Sequence, residues 1–232
     1  MAEIYIYKII MRSNPLRSLF QECLRISQSP QLLQKLASEI EGTSNTVEIL
    51  SGIDSLFKAI SLLDLGVDEN TEQVYQKELY VTDVPIYNSN QMGMSLFFLS
   101  KGTGFPLHDH PQMIALSYLL KGTIHCRNVD ILSMKRNYFE AVEVRNEVVN
   151  GPSLLTLTPD SGNLHSLTAR EDCILLDVFL PNYSDTRDCT FFKESYGENN
   201  DLHLKEMIGA DMNFREMQYC GISIYSDDLN SH

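Results

Sequence analysis

The sequence predicts a mainly β protein, a closed β-barrel with a helical N-terminal region packed on it as one structural unit. Three observations carry this. Apolar residues between positions 14 and 41 recur at helical spacing. Beyond Glu69-Asn70 the pattern changes to short runs rich in β-branched, aromatic and aliphatic residues, separated by turn residues at close intervals, as in all-β sandwiches and barrels. No apolar run approaches the roughly 20 residues of a membrane-spanning helix.

In chain order, Leu16, Leu19, Phe20, Cys23 and Leu24 form the apolar face of a first helix, and Leu32, Leu33, Leu36 and Ile40 that of a second. Ser29-Pro30 separates them, with Pro30 in the first turn of the second. Gly42-Thr43-Ser44-Asn45 reads as a turn, and a third helix is expected from about 46 to 63, ending at Gly66. Strands are expected near 77–87, 93–100, 112–120, 122–130, 138–149, 153–158, 173–180, 189–194 and 217–225. The polar segment 197–211 takes no assignment. The expected organisation is a helical region over 1–70 and a barrel over 71–232.

The chain has 232 residues, enough for one sizeable core, and its 43% hydrophobic and 21% charged content is ordinary for a globular domain. A net charge of −13 with scattered Lys and Arg argues against nucleic acid, because phosphate binding needs a basic face. The acidic balance favours solubility and can draw in a cationic substrate such as an amine. Met1–Arg12 lacks the basic region and small-residue cleavage site of a signal peptide. The expected compartment is therefore the cytosol, with the nucleus also open, and no membrane association is expected. The five cysteines, Cys23, Cys126, Cys173, Cys189 and Cys220, are odd in number and show no CxxC pair, which reads as free thiols without a structural zinc site.

The chemistry concentrates in Gly102-Thr-Gly-Phe-Pro-Leu-His108-Asp-His110 and in Gly162-Asn-Leu-His165. Side chains two apart on a strand share a face, so an extended stretch projects His108 and His110 together, and a later strand can bring His165 beside them. Three neutral imidazoles make a first-row metal site with open positions, which suits chemistry over mere stapling of the fold. An isolated His-x-His is more often a surface or core pair. Here Pro106 precedes the pair, Gly122 closes the next turn, and Pro159-Asp-Ser-Gly162 stands before His165.

Together these resemble the two motifs of the cupin superfamily, G-x5-H-x-H-x3,4-E-x6-G and P-x-G-x2-H. Gly102, His108, His110 and Gly122 fit the first; Gly162 and His165 fit the second, with one extra residue after Pro159. The resemblance implies a double-stranded β-helix, a jelly-roll-like barrel. The glutamate is missing, since Ile114 and Ala115 occupy its positions. Three neutral ligands leave a divalent ion its full charge, with room for an anionic thiolate and for O2. Such a set suits iron, zinc, copper or nickel, so spacing leaves the metal open.

A narrower resemblance follows from four segments: Pro106-Leu-His-Asp-His-Pro-Gln-Met113, Asn163-Leu-His165, Leu175-Leu-Asp-Val-Phe-Leu-Pro-Asn-Tyr183 and Arg187-Asp-Cys-Thr-Phe-Phe192. They resemble the P-L-H-D-H-P-x-M, N-[IL]-H, L-D-I-L-x-P-P-Y and R-x-C-x-Y-[YF] segments of the cysteamine dioxygenase and plant cysteine oxidase family of thiol dioxygenases, over roughly 70–195. The resemblance implies an iron(II) enzyme that adds both atoms of O2 to a thiol to give a sulfinic acid. The expected substrates are cysteamine or the N-terminal cysteine of a protein or peptide, and the expected state is a monomer. It implies His108, His110 and His165 as iron ligands, Asp177 as the active-site carboxylate that orients the substrate amine or an iron-bound water, and Tyr183 as a hydroxyl on the O2 or substrate side.

Phe191 stands where part of the family has the tyrosine that is cross-linked to the preceding cysteine, so Cys189 is expected to be a buried, unlinked thiol. Gln112 stands where a glycine is usual and is expected at the mouth of the site. No Arg lies in Met92–Lys101, where enzymes of free cysteine grip its carboxylate; this favours substrates without a free carboxylate. Two other readings share the barrel: a different metal-dependent cupin enzyme, and a cupin that binds without catalysis.

Overall fold

The computed structural model describes residues 14–210 and 212–224. The N-terminal stretch read above for an export signal lies outside them. Helices α1 (Pro15–Ser27), α2 (Pro30–Ile40) and α3 (Glu48–Lys58) come first, then a 3-10 turn (Leu62–Leu65) and a short α4 (Glu69–Tyr75). Asn14 and Ser29 cap α1 and α2 through side chains that accept from Leu16 N (2.8 Å) and Leu32 N (3.4 Å), with Pro15 and Pro30 in the first turns. The expected helix over 46–63 is shorter. It ends at Lys58, and the Ser61–Asp64 capping box starts a separate turn that closes at Gly66, φ +71°. Asp68 caps α4 by accepting from Thr71 N, so the strand expected from 77 begins only at Val81.

The strands are β1 (Val81–Asn88), β2 (Gly93–Leu99), β3 (Gly104–His108), β4 (Ile114–Lys121), β5 (Thr123–Met134), β6 (Phe139–Asn150), β7 (Ser153–Leu157), β8 (Leu164–Ala169), β9 (Cys173–Leu180), β10 (Phe191–Tyr196), β11 (Leu202–Met207) and β12 (Phe214–Glu216). β11 fills the segment left unassigned. The strand expected at 217–225 does not form over the described residues 217–224; the three-residue β12 lies just before it and pairs in parallel with β1.

One sheet runs β12-β1-β2-β9-β4-β7. The other runs β10-β11-β6-β5-β8-β3 and closes on itself where Phe191 pairs with His108. β9 explains how the layers stack, because all eight of its residues are buried. Ile174, Leu176, Val178 and Leu180 pack against the helices, in one core with Leu16, Phe20, Phe57 and Leu36. Cys173, Leu175 and Phe179 face the barrel interior with Leu99, Ala115, Leu157 and Leu167. The two-residue period of a strand therefore sends Asp177 into the barrel, on the face of Leu175 and Phe179. All five cysteines carry free thiols. No described helix is long and apolar enough to cross a membrane.

Candidate metal centre

β3 and β8 pair so that His108 lies directly opposite His165. β3 ends at His108, so His110 lies in the turn that follows and not on the same strand. Hydrogen bonds from two neighbouring segments hold that turn in place. Asn163 donates to the His110 carbonyl (2.8 Å) and accepts from its N–H (3.2 Å), tying the turn to the loop before His165. Asp109 accepts from Thr190 N at 2.7 Å, and its own N–H donates to the Thr190 carbonyl at 3.1 Å. Asp109 thus points away from the centre and anchors the strand that leads into β10. Gly162 turns with φ +63°, while its N–H donates to Asp130 and its carbonyl accepts from Asn128. A side chain there would be strained, which is the physical content of the motif glycine.

The three rings meet through their Nε2 atoms: His110 to His165 at 3.0 Å and His165 to His108 at 3.2 Å. Two nitrogens about 2.1 Å from one ion at right angles lie about 3 Å apart, so this spacing suits adjacent ligands on a single metal. The outer nitrogens fix the tautomers. His108 Nδ1–H donates to the Pro106 carbonyl at 2.8 Å. Tyr183 Oη donates to the Asp109 carbonyl (3.1 Å) and lies 2.7 Å from His110 Nδ1, so it accepts the Nδ1 proton. Both rings are left with Nε2 lone pairs free for a metal. Burial holds the rings neutral: His108 is lowered to about 4, and His110 and His165 fall well below the usual imidazole range, helped by their mutual repulsion. Among the described residues no carboxylate or thiolate joins the cluster, and Ala115 and Ile114 are buried apolar residues. The donor set is three imidazoles, a fit for a divalent first-row ion.

The cluster opens on a pocket of about 380 Å³ lined by Phe105, Leu167, Phe179, Tyr183, Phe191 and Asp177, among others. Asp177 is 5% exposed, is hydrogen-bonded by Ser117, and keeps Oδ1 without a hydrogen-bond partner. Burial, with the nearby Asp83 carboxylate adding to it, raises its carboxyl to about 7. Asp177 reaches the pocket through β9. Tyr183 also lines the pocket, but its hydroxyl is engaged with His110 and Asp109 instead of pointing freely at a substrate. Sequence reading missed Asp83, Asn163 as a clamp, and Glu216. The signal for Asp83 was available, since Val81 and Asp83 share a strand face and Val81 is core.

A family model described as PCO_ADO matches residues 56–219, from within α3 to just past β12. The chain belongs to the PCO_ADO family. Plant cysteine oxidase 2 of Arabidopsis thaliana is 28% identical over 190 residues, covering 77% of this chain and 66% of that protein. A probable 2-aminoethanethiol dioxygenase of Dictyostelium discoideum is 26% identical over 180 residues, covering 70% of this chain and 79% of that one. A solved structure of a Klebsiella pneumoniae protein with a double-stranded β-helix domain aligns with TM-score 0.39 at 11% identity, over 52% of this chain and 87% of that chain.

Two departures of this PCO_ADO chain take on a physical meaning. Gln112 is exposed and adopts φ +58°, the left-handed region that favours glycine. It is not among the residues lining the pocket, so its departure concerns backbone strain and not, as expected, the mouth of the site. Cys189 is half-buried, where a buried thiol was expected. It lines the pocket and contacts the Tyr183 hydroxyl, and burial chiefly raises its thiol to about 12. Phe191 lies against His108, ring centroids 5.8 Å apart, as an apolar wall.

Proposed function

We propose that this protein is a non-haem iron(II) thiol dioxygenase that converts an aminothiol, cysteamine or the N-terminal cysteine of a peptide, with O2 into the sulfinic acid. The observation that carries the reading is the meeting of three neutral imidazoles, without a carboxylate ligand among the described residues, beneath a pocket whose wall holds Asp177 with its Oδ1 unpartnered. The relatives named plant cysteine oxidase and 2-aminoethanethiol dioxygenase support it. His108, His110 and His165 would hold the iron; when bound, it supplies a seat for the substrate thiolate and for O2. The residues do the rest. Pro106 and Tyr183 aim the imidazoles. Phe105, Phe179 and Phe191 exclude water around the reacting sulfur. Asp177 accepts from the substrate ammonium and so sets the direction of the thiol. Tyr183 is a positioning residue that acts through His110.

We further place the protein in the cytosol as a monomer, a compartment that suits five free cysteines. Mass spectrometry of aerobic reactions of the iron-loaded protein with cysteamine, and separately with a Cys-initiated peptide, tests the function. The expected result is a gain of two oxygen atoms on the thiol, absent under nitrogen and in His110→Ala. No gain with iron confirmed in the protein would turn the reading toward another cupin chemistry or a binding role.

A further inference from the structure

The pocket carries more carboxyl groups than one amine-orienting aspartate requires. On the barrel side of the first sheet, Ser95 of β2, Asp177 of β9 and Ser117 of β4 lie in register across adjacent strands. Asp83 of β1 lies two residues off this row, opposite Phe97, and is hydrogen-bonded by Ser95, as Asp177 is by Ser117. Each aspartate keeps one oxygen, Oδ1, buried and without a hydrogen-bond partner. The two are close enough for the charge of Asp83 to act on Asp177, and Glu216 of β12 acts in turn on Asp83. All three line the pocket, and no lysine or arginine lines it among the described residues.

A buried carboxylate oxygen without a donor is costly, and native proteins seldom leave one so. Two of them on one wall, with no lysine or arginine among the described residues lining it, describe a surface completed by a ligand. The complement is a positively charged nitrogen with several N–H groups: an ammonium has three donors, enough to reach both oxygens and keep one to spare. A carboxylate on the ligand would meet the same wall as a like charge.

We propose that Asp83 is a specificity-determining residue, which with Asp177 holds the ammonium group of the substrate between their two Oδ1 atoms and disfavours thiols that carry a free carboxylate. This rests on the aminothiol reading above and extends the amine site to a second strand. It narrows the substrate class to thiols with a neighbouring ammonium and no nearby anion.

The test compares wild type, Asp83→Asn and Ser95→Ala, the last removing the donor that orients Asp83 without changing charge. With cysteamine, Asp83→Asn should raise KM about tenfold, and Ser95→Ala less, while KM for propanethiol, which has no amine, moves less than about twofold. Discrimination of cysteamine against free cysteine should fall in Asp83→Asn. Equal shifts for both thiols, or none, would overturn the proposal. Should Asp83→Asn fail to fold or to hold iron, Ser95→Ala decides by the same ratio. Calorimetric binding of ethanolamine to the iron-loaded protein without O2 separates this proposal from the oxygenase reading. Weaker ethanolamine binding in the Asp83 variant, in a protein that oxidises no thiol, would keep the ammonium site and remove the oxygenase. Ethanolamine binding that is absent in wild type, or equal in all three proteins, would remove the site whatever the turnover.

Discussion

At the scale of single residues, His108 and His110 present their Nε2 lone pairs because their Nδ1 atoms are already engaged, by a backbone carbonyl and by Tyr183. Losing a ligand should therefore differ in kind from losing its support. His108→Ala and His165→Ala should hold no stoichiometric iron, by metal analysis, and show no turnover. Tyr183→Phe should keep the ligands but bind iron about 10–100-fold more weakly, by competition with a chelator. Asp177→Asn should retain iron and lose most of its turnover; a near-normal rate would remove the role given to that carboxylate. The same residue leaves a thermodynamic mark. Its carboxyl sits at about 7 in the folded state against an ordinary 3.8, so the folded protein holds this proton more tightly than the unfolded chain. That contribution to stability is fully present below the ordinary value and is lost as pH rises toward 7. The buried neutral histidines act with the opposite slope, gaining stability as pH rises from the depressed folded value toward 6.5. The clean observable is thus a difference: the stability of wild type relative to Asp177→Asn, by urea titration, should decline between pH 4 and pH 7.

At the scale of elements, the metal centre is built across a seam. β3 and β8 supply His108 and His165 as a facing pair, while His110 comes from a turn held to the next loop by Asn163 and to the entry of β10 by Asp109. The turn after β4 depends on Gly122, whose φ is +96° and whose added Cβ would lie 2.4 Å from the Asp172 carbonyl. Gly122→Ala should destabilise the fold by about 1–3 kcal/mol through that left-handed strain, more if the Asp172 backbone cannot retreat, with chemical denaturation as the measurement. The helices were legible from apolar spacing and the Ser29-Pro30 stop. Their continuation was not, because a capping box at Ser61–Asp64 and a cap at Asp68 restart helical turns in a stretch too short for periodicity to register. β11 escaped notice for a similar reason: in Leu202-His-Leu-Lys-Glu-Met only Leu202 and Leu204 are buried, which leaves a weak alternation.

At the scale of the molecule, the first sheet separates two tasks. Its outer face makes one core with the helices, where Phe57 stacks on Tyr118 at 5.1 Å, and its inner face carries Asp177 and the pocket. Phe57→Ala removes a fully buried ring and should cost about 3–5 kcal/mol of stability, while iron stoichiometry of the folded protein at low temperature stays unchanged. Failure of iron binding there would mean that the outer core also shapes the centre.

The sequence by itself determined the fold class and the three histidines, because strand alternation, turn glycines and His spacing are local patterns written in consecutive residues. It also pointed to Asp177, through the resemblance of the segment Leu175–Tyr183 to that of the thiol dioxygenases. Only the tertiary structure decided what depends on neighbours distant in the chain: that Tyr183 serves His110, that Asn163 and Asp109 hold the His110 turn, that Gln112 strains the backbone without lining the pocket, and that Asp83 and Glu216 stand on the wall beside Asp177. Such contacts follow from sheet order and register, which no short stretch of residues encodes alone.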